Sequence, residues 1–416
     1  MKNKQLTLLS CAFIAFSFHL QAQNNITLDT LISQVLRNNP GYQSMQTQIR
    51  SAEARVSQAT AWSDPQIGVE LMGTPVTSLN PITNSMERRF FIEQMLPFPG
   101  KKTLAGDVAQ SGVRINASNA VVYQRNLIQS VKKEYVMLYA AQRRIEVNAE
   151  SQSLVKQMIA SAEARYGVAQ ASQADILKLQ IELSKLMNER AALEHDLRVP
   201  IAMINTLRSM PVDAVIGRLA EIELDPYSFD LEQLTAKALN QRPELKTMQY
   251  EIDMNNSELA MWKKERLPDF MVGASYNQMP EITNTWEVMF GINISIAPWA
   301  SGKYSGKIEE SKQNIRRVEQ SRMDMSNMVV FEVYDSWIKG KAHWEIADRL
   351  KRTMIPQAEQ ALQSLLIAYQ THQTDFLSLL DSFRMLNMYR MEYFMEIADH
   401  LMHVADLERA VGGELK

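Results

Sequence analysis

Few side chains in this sequence are spaced so that they could do chemistry together. His400 and His403 stand at i, i+3 on a predicted helix, a spacing at which two imidazoles can share a metal ion, and His195 and His343 lie on other predicted helices. No trio of carboxylates or thiols accompanies the pair convincingly along the chain, so no metal site is expected. The 25 methionines would suit Cu(I), whose affinity for thioether sulfur is high. They are spread singly, however, and Met385, Met388, Met391 and Met395 recur at the spacing of a helical packing stripe, which predicts core filling. Acidic and hydroxyl groups gather at two predicted helix starts: Asp175 after Tyr166-Gly167, and Asp375, Ser378 and Asp381 after Tyr369-Gln370. An anionic side chain in the first turns of a helix is stabilised by the helix dipole. No nucleophile elbow, phosphate loop, zinc motif or paired Glu-x-x-His set occurs. The chain is therefore expected to be no enzyme and to carry no cofactor.

The first residues indicate export. Lys2 and Lys4 precede an apolar run from Leu6 to Phe18, and the small Ala22 precedes Gln23, the layout of a signal peptide over residues 1–22. The single cysteine, Cys11, lies inside that run; as a lipid-attachment site it would leave an unusually short signal. Of 44 basic residues, the loss of Lys2 and Lys4 leaves 42 against 47 acidic ones, a formal charge of −5 with no basic block, so nucleic acid is not expected as a partner. For a chain this long, 15 Gly and 14 Pro are few, which points to long helices.

The elements that must position these residues occur twice. Leu28 matches Leu231, Pro40 matches Pro243, Pro65 matches Pro268 and Tyr166 matches Tyr369, always 203 positions apart. Met45-Gln46 likewise faces Met248-Gln249. A period of about half the chain indicates two copies of one large unit, residues 23–218 and 219–416. Each copy opens with an amphipathic helix broken by a proline near its start and stopped by Pro65 or Pro268. A strand pair follows, expected over 66–95 and 269–296. In the second, Trp286, Val288, Phe290, Ile292, Ile294 and Ile296 fall on one face, while Glu287, Met289, Gly291, Asn293 and Ser295 fall on the other. The connecting stretches, rich in Pro, Thr, Asn and Ser, read as hairpin loops. Each copy then enters a long helical hairpin, 100–209 or 302–411, whose return helix starts at Ser172 or Asp375, both good N-cap residues. Gly340 and Pro356 predict a local distortion in the second long helix.

Four strands cannot close a barrel, since the smallest membrane barrels have eight. Strands with one apolar face are nevertheless what a tilted membrane barrel requires, because hydrocarbon leaves no sheet edge satisfied. The chain is therefore expected to associate or to remain soluble; two copies would supply eight strands and three would supply twelve. Trp286, Trp299, Tyr276 and Phe98, near strand ends, are candidate interfacial anchors.

Taken together these segments resemble the TolC-like outer membrane efflux proteins, the heavy-metal subgroup in particular, over essentially the whole exported chain. Leu-Pro-Phe-Pro-Gly-Lys at 96–101 looks like that subgroup's strand-to-helix turn, and Ala52-Glu53-Ala54-Arg55 with Gln58-Ala59 looks like the first-helix pattern. Tyr166 to Leu183, with Gly167, Ser172, Gln173, Asp175 and Leu177, resembles the helix-tip signature, and Phe376 to Asp381 resembles the second tip. The resemblance implies a mainly α fold with membrane β structure. It implies a homotrimer with a twelve-stranded barrel in outer membrane lipid and a helical barrel crossing the periplasm. The expected partners are a periplasmic adaptor and an inner-membrane pump of the resistance-nodulation-division type, and the expected cargo is heavy-metal cations or small toxic compounds.

The same resemblance places the pore-narrowing acids at Ser378 and Asp381, so that only Asp381 is acidic and three copies of it would form a cation-attracting ring. Asp175, the repeat partner of Ser378, is a further candidate charge or a simple helix-start residue, and His372 stands where glycine is usual. The competing expectation is a periplasmic coiled-coil structural or adaptor protein without a membrane barrel, which explains the helices and the export signal but not the paired strands.

Overall fold

The computed structural model describes residues 26–280, 282–294, 299, 301–371 and 373–415. The predicted signal peptide, His372 and the end of the last predicted strand lie outside the described residues.

Each half follows one order of elements. Helices α1 (Leu28–Asn38) and α2 (Pro40–Thr60) lead to strands β1 (Gln66–Met72) and β2 (Glu87–Leu96), then to α4 (Lys101–Tyr166) and α5 (Gln173–Leu207). The second half runs α6 (Leu231–Gln241), α7 (Pro243–Glu265), β3 (Asp269–Gln278), β4 (Thr285–Asn293), α8 (Ser301–Arg349), α9 (Ile355–Gln370) and α10 (Phe376–Val411). Pro40 and Pro243 each sit in the first turn of a new helix, where the missing N–H costs nothing. The loop between β1 and β2, expected to be irregular, contains one helical turn, α3 (Pro81–Asn84). The Asn80 side chain caps it by accepting from the N–H groups of Ile82 and Thr83.

Helix α4 has 66 residues, which at 1.5 Å per residue makes it about 100 Å long. Its counterpart is interrupted by a π-helical turn at Leu350–Met354, with only Ile355 between it and Pro356. Proline has no N–H to donate and its ring crowds the carbonyl four residues back, so the turn widens there. The expected distortion of this helix thus falls beside Pro356, while α8 runs through Gly340 unbroken. Gly340 lies in the packed interface, where a Cβ would make ordinary contacts with Tyr227 Oη at 3.4 Å and His403 Cβ at 3.6 Å.

The core is strung along the long axis. One cluster, around Leu31, Val131, Leu138, Tyr139, Ile204, Leu219 and Ile397, joins α1, α4, α5 and α10 to the segment between α5 and α6. That segment is pinned to both long helices: Leu219 N–H donates to Gln142 Oε1 at 2.9 Å, and the indole N–H groups of Trp337 and Trp344 donate to the carbonyls of Phe229 and Asp225. A second cluster, including Val155, Leu179, Leu362, Phe376, Leu380 and Phe383, joins the ends of both hairpins. None of the described helices is long and apolar enough to cross a membrane.

Candidate functional site

The four strands form one antiparallel sheet in the order β1-β2-β3-β4, with β2 and β3 pairing across the two halves. Register aligns the predicted faces. Ile67, Ile92, Ala274 and Val288 form one row, and Val69, Phe90, Tyr276 and Trp286 form the next. Leu96, Phe270 and Ile292 close the same face at the helix end. This face is open: Ile67 is 78% exposed, Trp286 77% and Phe290 79%. On the opposite face Gly68, Phe91, Ser275 and Glu287 form a row, as do Glu70, Arg89, Asn277 and Thr285. There Ser275 and Asn277 are buried, and Arg89 is paired with Glu70 at 3.1 Å. The sheet is thus largely inverted relative to a water-soluble one: most large apolar side chains lie outside, with Arg88 and Gln94 among them, while the inner face is mostly polar or small, with Phe91, Met95, Met271 and Met289 among its residues.

The candidate anchors divide between its two ends. Tyr276 and Trp286 are direct cross-strand partners near the loops. Phe98 stacks on Phe270 at 6.3 Å near the helices, where Trp299 is also fully exposed. Phe270 and Tyr276 are six positions apart on one strand, or about 20 Å along it at 3.3 Å per residue.

The turn from β2 into α4 is built on charge. Gly100 has φ +87°, a conformation that a side chain would strain, and it releases the chain into α4. The buried Lys101 ammonium pairs with Asp269 at 2.8 Å and Glu265 at 3.4 Å, and Asp269 also accepts from the Phe98 N–H at 2.8 Å. Sequence motifs singled out this turn, but not Asp269, which holds it from the other half of the chain.

At the opposite end the two hairpin tips meet. Ser172 caps α5 in a capping box with Asp175, whose N–H donates to Ser172 Oγ at 3.2 Å, while the Ser172 N–H donates to Asp175 Oδ2. Asp375 caps α10, accepting from Ser378 N–H at 3.0 Å and from Ser378 Oγ–H at 2.8 Å. The Ser378 backbone donor in particular holds the Asp375 carboxyl below the usual carboxylate range. Asp175, Asp375 and Ser378 are therefore occupied in starting helices. Asp381 is exposed, and Arg384 approaches it at 3.5 Å.

Arg384 and Glu182 were not singled out by sequence. The Arg384 guanidinium donates twice to Glu182 Oε2, at 2.9 and 2.6 Å, tying α10 to α5; this carboxylate keeps the guanidinium pKa above its ordinary value. Arg165 joins the tips a second time, donating to Tyr369 O at 2.7 Å and lying 4.5 Å over the Tyr369 ring. Burial, followed by the nearby Asp175 charge, raises the Tyr369 phenol.

The methionine stripe departs from expectation. Met391 is buried, but Met385 and Met388 are 48% and 52% exposed and only half of the stripe fills core. A three-residue step falls about 60° short of a full turn, so the stripe winds off the packed face. Of the histidines, His195 is exposed beside Asp196, whereas His343, His400 and His403 converge where α8 crosses α10, with Glu396 and Asp399 adjacent. Carboxylates therefore do accompany the pair in space, although the nearest were not evident as a ligand set along the chain.

No family model matches the chain. It is 18% identical over 396 residues to the cobalt-zinc-cadmium resistance protein CzcC of Cupriavidus metallidurans, covering 95% of this chain and 92% of that one. Among solved structures it superimposes on the outer membrane protein VceC of Vibrio cholerae with a TM-score of 0.76 at 14% identity, over 94% of this chain and 97% of that one. It superimposes on the open state of the MtrE outer membrane channel of Neisseria gonorrhoeae with a TM-score of 0.74 at 14% identity, over 94% and 89%.

Proposed function

We propose, from a chain that has the fold of the TolC-like outer membrane channels, that this protein is the exit duct of a tripartite efflux system. The observation that carries the proposal is the inverted sheet. Its apolar outer face and its two edge strands, β1 and β4, which are unpaired on their outer sides among the described residues, are both costly in water, and both are satisfied when copies close into a barrel within lipid. Three copies fit the task better than two. An eight-stranded barrel is filled by its own side chains, while twelve strands leave a wet lumen for the polar face. A coiled-coil protein confined to the periplasm would leave the same apolar face in water.

In this arrangement the sheet lies in the outer membrane and the long helices extend about 100 Å into the periplasm. The joined tips, far from the sheet, face a periplasmic adaptor and an inner-membrane pump, of the resistance-nodulation-division type. The duct conducts passively and the pump supplies the energy. The name of the cobalt-zinc-cadmium resistance relative supports divalent metal cations as cargo. A ring of three Asp381 carboxylates at the tips would concentrate such cations by attraction, with Arg384 tempering the charge.

Expression of the full chain with its leader, followed by envelope fractionation and native mass measurement in detergent, tests the proposal. A trimer in the outer membrane is expected. A soluble monomer or dimer from the periplasm would refute the barrel.

A further inference from the structure

The cluster that the duct reading leaves unused lies where α8 passes α10. On α10, Glu396, Asp399, His400 and His403 recur at i, i+3, i+4 and i+7, one stripe of a helix. Facing them on α8 are Gly340 and, one turn later, His343. His400 is 5% exposed, and its Nδ1–H donates to the Gly340 carbonyl at 2.8 Å. Burial pushes its pKa down, and the ring packs between the two helices. The bond to Gly340 marks the close approach of α8 and α10.

That approach assembles a donor set. His343 Nδ1 lies 2.7 Å from Glu396 Oε2, and the His343 ring stacks on that of His403, with centroids 5.4 Å apart and planes 20° apart. One donor atom from each of His343, Glu396 and Asp399 lies within 4.8 Å of the other two. All three side chains are partly buried. Charge compensation is uneven around them. Asp406, one turn beyond His403, is paired with Lys133 at 2.5 Å and accepts from Gln129. Glu396 is bonded to His343, and Asp399 has neither a hydrogen-bond nor an ion-pair partner among the described residues. Two carboxylates thus share a partly buried position with an imidazole, and among the described residues no lysine or arginine is bonded to either.

We propose that His343, Glu396 and Asp399 form a site for one divalent cation of the Zn²⁺ or Co²⁺ type per chain. A mixed imidazole and carboxylate set suits these borderline cations, and no thiol or thioether belongs to it, which disfavours Cu(I). The cation would clip α8 to α10 at mid-length, away from both the sheet and the tips. The site follows from helix packing alone and stands whatever the duct exports.

The test uses the full chain without a histidine tag, stripped with chelator and held in detergent, titrated with Zn²⁺ against a fluorescent competitor and with Co²⁺ followed by its visible absorption. One cation per chain is expected. Glu396→Gln and Asp399→Asn should each weaken binding by about 10-fold or more, since even the outer partners of metal ligands contribute about 10–100-fold. His343→Ala should abolish the Co²⁺ band, and His195→Ala should change neither. Asp399→Asn removes no contact of the metal-free fold and is isosteric, so it keeps the test decisive if the other variants unfold. Binding to Asp399→Asn with unchanged affinity, or no binding by the parent chain, would overturn the site.

Discussion

Replacing Val288 by Arg places a charge in the central row of the outer sheet face, beside Ala274 and in line with Ile92 and Ile67. If that face meets hydrocarbon, an arginine near the bilayer midplane costs about 2–4 kcal/mol. Three copies in a trimer would lose about 6–12 kcal/mol, comparable with the whole stability of an ordinary domain, about 5–15 kcal/mol. Met289→Arg is the matched control. Its side chain leaves the opposite face of the same strand, opposite Gly273, with Glu93 in register on the next strand as a counter-charge. The assay is the yield of folded trimer in outer membrane fractions, with the urea midpoint of the protein reconstituted in vesicles. Val288→Arg should fail to accumulate as trimer while Met289→Arg assembles. Normal assembly of Val288→Arg together with failure of Met289→Arg would reverse the assignment of the two faces and remove the basis of the barrel.

Three further outcomes are expected. Arg384→Gln leaves the buried Glu182 with Lys185, at 3.9 Å, as its remaining cation; because Arg384 is itself 40% exposed, the cost should be about 1–3 kcal/mol in chemical unfolding. Adding Glu182→Gln to that variant should recover most of the loss, whereas strictly additive effects would deny the link between α5 and α10. Asp381→Asn should change stability by less than about 0.5 kcal/mol, as an exposed pair at 3.5 Å predicts, yet lower the cation preference of single-channel currents; unchanged selectivity would remove Asp381 from the pore. The depressed Asp375 carboxyl contributes fully above the ordinary carboxylate pKa of about 3.9 and is lost as pH falls through its lower folded value. Amide exchange in the first turn of α10 should therefore accelerate only in strong acid, and in Asp375→Asn it should lose that acid dependence.

Local chemistry made much of the architecture legible. The caps at Ser172 and Asp375 act over three residues, and each stands at the same place in its repeat. Strand alternation acts over two residues, so both faces of the sheet could be assigned from Trp286 to Ile292 before any pairing was known. Pro356 marked the interruption of the second long helix for the same reason, although only the fold shows it to be a π turn. The methionine stripe misled because spacing along a helix does not say which side the helix turns to its neighbours.

What tertiary structure alone decided was which distant groups share a place. Arg384 meets Glu182 from 202 positions away, Phe98 meets Asp269 across 171, and His343 meets Glu396 across 53. None of these pairs has a local signature, since an ion pair or a ligand set needs only side chains that converge within a few ångströms. Periodicity and capping are properties of the backbone over one or two turns and are written in the sequence. Convergence depends on how the helices cross, and that is settled by packing a core drawn from both halves of the chain.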